Sequence, residues 1–214
     1  HKRALDHDEG LNTGGMGTVA PNPYYTPAVA ERCMQEIFLP TVAAMQAEGC
    51  PFKGCLYFGL MLTPDGPKVI EYNCRFGAPE TQVVLPLLES DLLTVMEATT
   101  NGTLDKTDVK FSDGAAACVI LASGGYPLAY EKGKEITGLT AGQLDAADVT
   151  VYHAGTAIKD GSLVTNGGRV LGVTATANTL PEALKKAYAA TESIHFDKLH
   201  KRSDIGARAL AAMQ

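Results

Sequence analysis

The sequence predicts an α+β protein built in two parts, each an antiparallel sheet with helices. Three observations carry this. Residues 54–75 read as strand, turn and strand; residues 99–114 are polar and poor in large apolar side chains; and residues 115–122 are a continuous apolar run followed by alternating segments and one amphipathic helix. The composition shift at 99–114 divides the chain into a first domain (1–98), a linker (99–114) and a second domain (115–214).

The elements follow in order. Residues 1–17 are polar and glycine-rich and read as a loop. Thr26 and Pro27 supply an N-cap and a proline at the first helical position. Val29, Cys33, Ile37, Val42 and Met45 then recur at helical spacing until Gly49, and Pro40 is expected to kink or split this helix. Pro64, Asp65 and Gly66 reverse the chain between strands 54–62 and 68–75. A helix is expected to begin within 79–88, and Ser90 or Asp91 caps another that carries Leu92, Leu93, Val95 and Met96. Beyond the linker, 115–122 reads as a buried strand and 123–127 as a turn, and 149–158 alternates as a strand. A turn at 159–162 leads to a short strand. Asn166 and Gly167 give a hairpin signal into 169–175. Thr179 and Glu182 form a capping box with Pro181 inside the first turn, and Leu184, Ala187, Tyr188, Thr191 and Ile194 share one helical face.

Composition excludes several classes. The 214 residues carry a net charge of −6 with no run of five basic residues, so a nonspecific nucleic-acid surface is not expected. No apolar run approaches the roughly 18 residues of a membrane span. The five cysteines (Cys33, Cys50, Cys55, Cys74 and Cys118) are odd in number and lack C-x-x-C spacing, which points to the reducing cytoplasm rather than to disulfides or zinc. The opening residues His1, Lys2, Arg3 and Ala4 read as neither a signal peptide nor a natural start, so a fragment is expected.

The chemistry concentrates at 71–82. On a strand, residues two apart share a face, so Glu71, Asn73 and Arg75 are expected side by side. A carboxylate and an amide oxygen are hard ligands suited to Mg²⁺, and an arginine beyond them suits a phosphate. From the tripeptide Glu71-Tyr72-Asn73 alone, a solvated strand face is the favoured reading. Gly14, Gly15, Met16 and Gly17 form a loop whose backbone N–H groups are available to an anion, or else a plain tight turn. Asn166, Gly168 and Arg169 read as a hairpin turn with a surface arginine or as a phosphate contact, and His153 as a structural histidine. Asp6, Asp8 and Glu9 lack the further ligands of a calcium loop.

Several motifs, in one order, closely resemble the glycinamide ribonucleotide synthetases (phosphoribosylamine–glycine ligases) of the ATP-grasp superfamily. They are H-K-R-A-x-D-x-D-x-G-x-N-T-G-G-M-G (1–17), G-x-L-Y-x-G-L-M (54–61) and E-Y-N-C-R-F-G-x-P-E-T-Q (71–82). G-G-Y-P (124–127), Y-H-A-G-T (152–156), T-N-G-G-R-V-L (165–171) and K-R-x-D-I-G-x-R-A (201–209) follow. The resemblance covers essentially the whole chain. It departs at Ala78, where the family usually has Asp, and at Leu11, where it usually has Pro.

The resemblance implies the C-terminal portion of an ATP-grasp domain followed by a small α+β C-terminal domain. It also implies a ligase that uses ATP with Mg²⁺ or Mn²⁺ to join glycine to 5-phosphoribosylamine through glycyl phosphate, in purine biosynthesis. By resemblance Glu71 and Asn73 ligate the metal and Arg75 is catalytic. Lys2, Arg3, Asn12, Gly14, Gly15, Met16, Gly17, Gly77, Asn166, Gly168 and Arg169 serve substrate or phosphate. The implied partner is the missing N-terminal half of the enzyme, without which this chain is expected to be inactive. Another ATP-grasp carboxylate–amine ligase and a non-catalytic module are the alternatives.

Overall fold

The computed structural model describes residues 1–139 and 148–214. Along the chain run β1 (Arg3–Leu5), a 3₁₀ turn (Asp6–Asp8), β2 (Glu9–Asn12), β3 (Gly17–Ala20), α1 (Pro27–Cys33), a π turn (Met34–Phe38), α2 (Leu39–Ala47), β4 (Tyr57–Thr63) and β5 (Gly66–Asn73). Then come α3 (Thr81–Val84) with a 3₁₀ turn (Leu85–Leu87), α4 (Leu92–Asn101), β6 (Ala115–Ser123), β7 (Val149–His153), β8 (Thr156–Lys159), β9 (Ser162–Thr165), β10 (Arg169–Ala177), α5 (Leu180–Thr191), β11 (Leu199–His200) and α6 (Ala207–Ala212). The α+β class is as expected. Among the described residues no helix is long and apolar enough to cross a membrane.

Contacts gather the chain into two compact units that interleave in sequence. One comprises His1–Pro21, Ala78–Leu87 and Ser112–Gln214, the other Asn22–Gly77 and Leu88–Phe111. The linear division at 99–114 is not how the contacts fall, and α4 extends through that boundary to Asn101. The reason lies in β6. All nine of its residues are buried, so its backbone groups need protein partners on both edges. β10 takes one edge antiparallel. β3 covers the other from Ala116 to Val119, and β11 continues it at Ala122 and Ser123. The opening residues expected as a loop hold strands instead: β1 and β2 pair with each other, and β3, which begins at Gly17, takes the edge of β6.

The first unit packs α5 on β6 and β10. Leu180, Ala183, Leu184 and Ala187 of the helix belong to one buried cluster with the small residues Ala115, Ala116, Ala117 and Cys118 of β6. Burial pushes the Cys118 thiol up to about 12, which keeps it protonated and inert. Thr179 is the N-cap of α5 but accepts no side-chain hydrogen bond, so the expected capping box is not formed. Asn166 and Gly167 do not close a hairpin either. β9 pairs with β8, and β10 pairs with β6 and β7, so the turn carries the chain from one sheet to another. The strand expected over 149–158 is likewise two, β7 and β8, in different sheets.

A buried ionic knot holds the two ends of this unit. Arg202 is 1% exposed. Its guanidinium donates to Asp204 at 2.8 Å, to Asp8 at 3.0 Å and to the Arg3 carbonyl at 3.1 Å. Asp6 accepts from the Ser203 amide at 2.8 Å, and Asp8 also pairs with Arg208 at 2.9 Å. The Tyr188 hydroxyl donates to the Arg202 carbonyl and accepts from the Ile205 amide.

In the second unit Thr26 caps α1 by accepting from the Val29 amide, with Pro27 in the first turn. The helical run does not split at Pro40. A π turn precedes it, with the Leu39 amide donating to Met34, and the wider turn relieves the clash a proline makes with the carbonyl four residues back. Asp91 caps α4 by accepting from Thr94 at 2.8 Å, and Gly102 ends it in the left-handed region.

The knot gives a pH signature. Hydrogen bonding from Arg202 lowers the Asp204 carboxyl to about 2, against about 3.9 when unfolded. A depressed carboxyl stabilises the fold above its unfolded pKa, so this contribution is complete above about pH 4 and is lost as pH falls towards about 2. Asp204→Asn is expected to remove that part of the acid dependence in thermal unfolding scans. Arg202→Met, by leaving carboxylates without their cation, is expected to cost roughly 3 kcal/mol or more in denaturant titrations. A loss below about 1 kcal/mol, the range of an exposed pair, would refute the knot's role.

Candidate functional site

Two groups of the residues singled out above occupy the two units. In the second unit β4 and β5 pair antiparallel, with Tyr57 opposite Asn73, Phe58 opposite Tyr72 and Gly59 opposite Glu71. The register then shifts, Leu60 lying opposite Val69, so that Ile70 is the extra residue of a bulge. Phe58 packs at a tilt against Phe38 of the helical run, with ring centroids 4.5 Å apart, and edge-to-face against Tyr72 at 5.3 Å. Val69, Tyr72 and Cys74 line an apolar cavity of about 540 Å³ with Ile37, Pro40, Ala44 and Met45. Phe58 and Tyr72 therefore face the helices. Alternation leaves Tyr57, Gly59, Glu71 and Asn73 together on the opposite face.

Glu71 and Asn73 are both half-buried. The Glu71 side chain lies across Gly59, where an added Cβ would fall 2.7 Å from Glu71 Cγ and 3.3 Å from Oε1. Among the described residues no cluster of three or more His, Cys, Asp or Glu side chains could hold a metal. The donor set here is one carboxylate and one amide oxygen. It fits Mg²⁺ or Mn²⁺, which complete their shell with phosphate and water, and does not fit zinc, which takes three or four protein ligands.

Arg75 differs from expectation. β5 ends at Asn73, so strand alternation does not carry Arg75 onto the face of Glu71. It is exposed in the bend beyond, and its Nη1 donates to the Phe76 carbonyl at 2.9 Å. Gly77 is buried.

In the first unit the glycine loop is not an open anion cradle. Its amides already have protein acceptors: Gly14 donates to the Tyr126 hydroxyl at 3.0 Å, Gly15 to Thr13 Oγ1 at 2.9 Å and Met16 to the His1 carbonyl at 2.8 Å. The glycines supply space instead. A methyl at Gly14 would fall 2.7 Å from Arg169 Nη2, and one at Gly15, where φ is +116°, would fall 2.6 Å from Pro79 Cδ. At Gly17 it would meet Ile205 and the Cys118 carbonyl, and at Gly168 the Tyr126 ring. Arg169 Nη1 donates to the carbonyls of Gly14 at 2.7 Å and Ala78 at 2.6 Å, and more weakly to Gly15 at 3.4 Å. Arg169 thus clamps two loops that lie 91 and 155 residues away from it. Of the other expected residues, Lys2, Arg3, Asn12 and Asn166 are exposed. Arg3 Nη1 donates to the Gly10 carbonyl, and the Lys2 carbonyl accepts from Thr13.

Comparison with known proteins accords with this arrangement of motifs. A family profile described as phosphoribosylglycinamide synthetase, ATP-grasp (A) domain, matches residues 1–81, and one described as the C domain of the same synthetase matches residues 116–208. The chain belongs to the phosphoribosylglycinamide synthetase family. A phosphoribosylamine–glycine ligase of Vibrio vulnificus is 49% identical over 215 residues, which is 100% of this chain and 50% of that protein. A bifunctional purine biosynthetic protein of Schizosaccharomyces pombe is 49% identical over 210 residues, 98% of this chain and 26% of that protein. The crystal structure of the Thermotoga maritima phosphoribosylamine–glycine ligase superposes with a TM-score of 0.83 at 41% identity, over 95% of this chain and 49% of that one. A biotin carboxylase domain of Hydrogenobacter thermophilus 2-oxoglutarate carboxylase, solved with MgADP and bicarbonate, shares the fold at TM-score 0.62 and 13% identity. The chain spans about half the length of the ligases it matches. Within this synthetase family chain, the two profile matches are consecutive in sequence while the compact units interleave.

Sequence reasoning assigned no role to Tyr126, Arg202 or Gly59, although each stands inside a quoted motif. Their partners are Gly14, Asp8 and Glu71, at separations of 112 and 194 residues for the first two, and only the fold brings them together. Tyr126→Phe removes the acceptor of the Gly14 amide. Hydrogen exchange at Gly14 is expected to accelerate about fivefold, as befits a bond worth about 1 kcal/mol, with β6 amides unchanged. Equal rates in both proteins would contradict the assignment.

Proposed function

We propose that this chain carries the metal-binding strand and the C-terminal domain of a phosphoribosylamine–glycine ligase. The observation that carries the reading is the pairing of Glu71 and Asn73 on the face of β5 turned away from the helices, in a chain 49% identical to proteins of that name. A carboxylate is a poor acyl donor because expelling oxide is too costly. Transfer of the ATP γ-phosphoryl group to glycine gives glycyl phosphate and ADP. The amine of 5-phosphoribosylamine then attacks the acyl carbon and inorganic phosphate leaves. Such chemistry needs positioning and charge neutralisation rather than a covalent protein nucleophile.

In this reading Glu71 and Asn73 hold Mg²⁺ or Mn²⁺. The ion, when bound, neutralises the ATP phosphates. Arg75 exchanges its bond to the Phe76 carbonyl for the transferring phosphoryl group. Lys2, Arg3, Asn12 and Asn166, all exposed, are the candidates for contact with substrate phosphate, whereas Gly14, Gly15, Met16, Gly17, Gly168 and Arg169 shape the loops of the same unit, and Gly77 follows the metal strand in the other. The remainder of the ATP site belongs to the part of the relatives that the chain does not match. The reaction belongs to the cytosol, where purine precursors are assembled.

The test is an assay of glycine-dependent phosphate release with ATP, Mg²⁺ and 5-phosphoribosylamine, using this chain alone and joined to that remaining segment. The joined protein is expected to turn over and to pass ¹⁸O from the glycine carboxylate into phosphate, while the chain alone is inactive. Glu71→Gln in the joined protein is expected to lower turnover at least about 100-fold and to raise the Mg²⁺ requirement. Turnover that ignores glycine would overturn the substrate assignment, and unaltered Mg²⁺ dependence would return Glu71 to a solvated strand face.

A further inference from the structure

The reading of Glu71 as a metal ligand leaves open what holds its carboxylate in place. A glutamate has three rotatable bonds, so where its oxygens sit depends on what packs against the side chain. Across the hairpin, however, Glu71 faces Gly59 in the ladder. Gly59 is buried although it has no side chain. Its missing Cβ would lie 2.7 Å from Glu71 Cγ, 3.5 Å from Cδ and 3.3 Å from Oε1. The Glu71 side chain therefore occupies the space that any other residue at 59 would fill. Gly59 is not among the residues with positive φ, so its backbone conformation is open to alanine. What position 59 requires is the absence of a side chain, not the torsional freedom of glycine.

The neighbours sharpen the point. Tyr57 and Asn73 face each other two pairs along the same ladder, the next pair on that face. The glycine sits beneath the longer of the two oxygen-bearing side chains and a tyrosine beneath the shorter. On a pleated face the two ligand Cβ atoms are separated by one alternation, while Glu reaches one methylene further than Asn. Laying Glu71 back over Gly59 shortens the effective reach of the longer of the two side chains. An octahedral ion shared by two side chains of unequal length requires such a shortening, because its ligand geometry is strict.

We propose that Gly59 is a positioning residue that sets the Glu71 carboxylate beside Asn73 for a divalent cation. This rests on the metal reading given above. Gly59→Ala would drive its methyl into Glu71 Cγ, and the side chain would swing away from the strand.

The test uses Mn²⁺ with ADP added to the isotopically labelled 214-residue chain, read as paramagnetic broadening of the amides at 71–73 and of the Asn73 side-chain amide. The wild-type chain is expected to show selective broadening at these signals, Glu71→Gln to need about tenfold more Mn²⁺ for the same effect, and Gly59→Ala to need several-fold more. Broadening in Gly59→Ala equal to wild type, with Glu71→Gln impaired, would overturn the role of Gly59 and leave the metal reading standing. Wild-type broadening that is absent or untouched by Glu71→Gln would overturn both. A second measurement does not depend on any variant folding. In the wild-type chain the Glu71 γ protons are expected to show a nuclear Overhauser contact to the Gly59 α protons, and its absence would overturn the proposal directly.

Discussion

The first unit depends on the complete burial of one strand. β6 presents nine buried residues, and a buried backbone must find hydrogen-bond partners along its whole length. β10 satisfies one edge, while β3 and β11, from opposite ends of the chain, share the other. Once the two ends are neighbours, Arg202 can reach Asp8, Asp204 and the Arg3 carbonyl. A guanidinium that is 1% exposed is tolerable only because these acceptors surround it. The knot is thus a consequence of the sheet and also a lock upon it. In the second unit the corresponding constraint is the two-faced hairpin, whose aromatic side packs on the helices and whose other side is left for polar chemistry.

Both units use glycine as empty space. Gly14 receives the guanidinium of Arg169, Gly168 the ring of Tyr126, and Gly59 the side chain of Glu71. Each is a close approach by a long side chain that any Cβ would prevent. Arg169 accordingly holds the loops at Gly14 and Ala78 through three carbonyl contacts, which is a structural use of a cation that local pattern suggests for an anion.

What the sequence made legible was local chemistry with local partners. Thr26 and Pro27 start a helix, Asp91 starts another, Pro64 to Gly66 turn a hairpin, and the apolar run at 115–122 is a buried strand. Each signal is complete within a few residues. Two misreadings are local, the capping box at Thr179 that does not form and the strand that ends at Asn73, and the others concern partners far away. Asn166 and Gly167 have hairpin chemistry, but β10 has both edges taken by β6 and β7, so β9 pairs elsewhere. Residues 1–17 lack the apolar content of an independent strand, yet β1 and β2 pair with each other there, and β3 beyond them takes the open edge of β6. The loop at Gly14 contains the residues of an anion cradle, but Tyr126, Thr13 and His1 accept its amides. For the metal pair, alternation predicted the shared face of Glu71 and Asn73 and overextended it to Arg75, because β5 ends two residues before the arginine.

The role proposed for the hairpin requires that Glu71 and Asn73 bind one ion. Crystals of the chain grown with Mn²⁺ and ADP, measured at the manganese absorption edge, test this most directly. An anomalous peak is expected within coordination distance of both the Glu71 carboxylate and the Asn73 amide oxygen. A manganese peak bound elsewhere on the chain, with neither residue among its ligands, would contradict it.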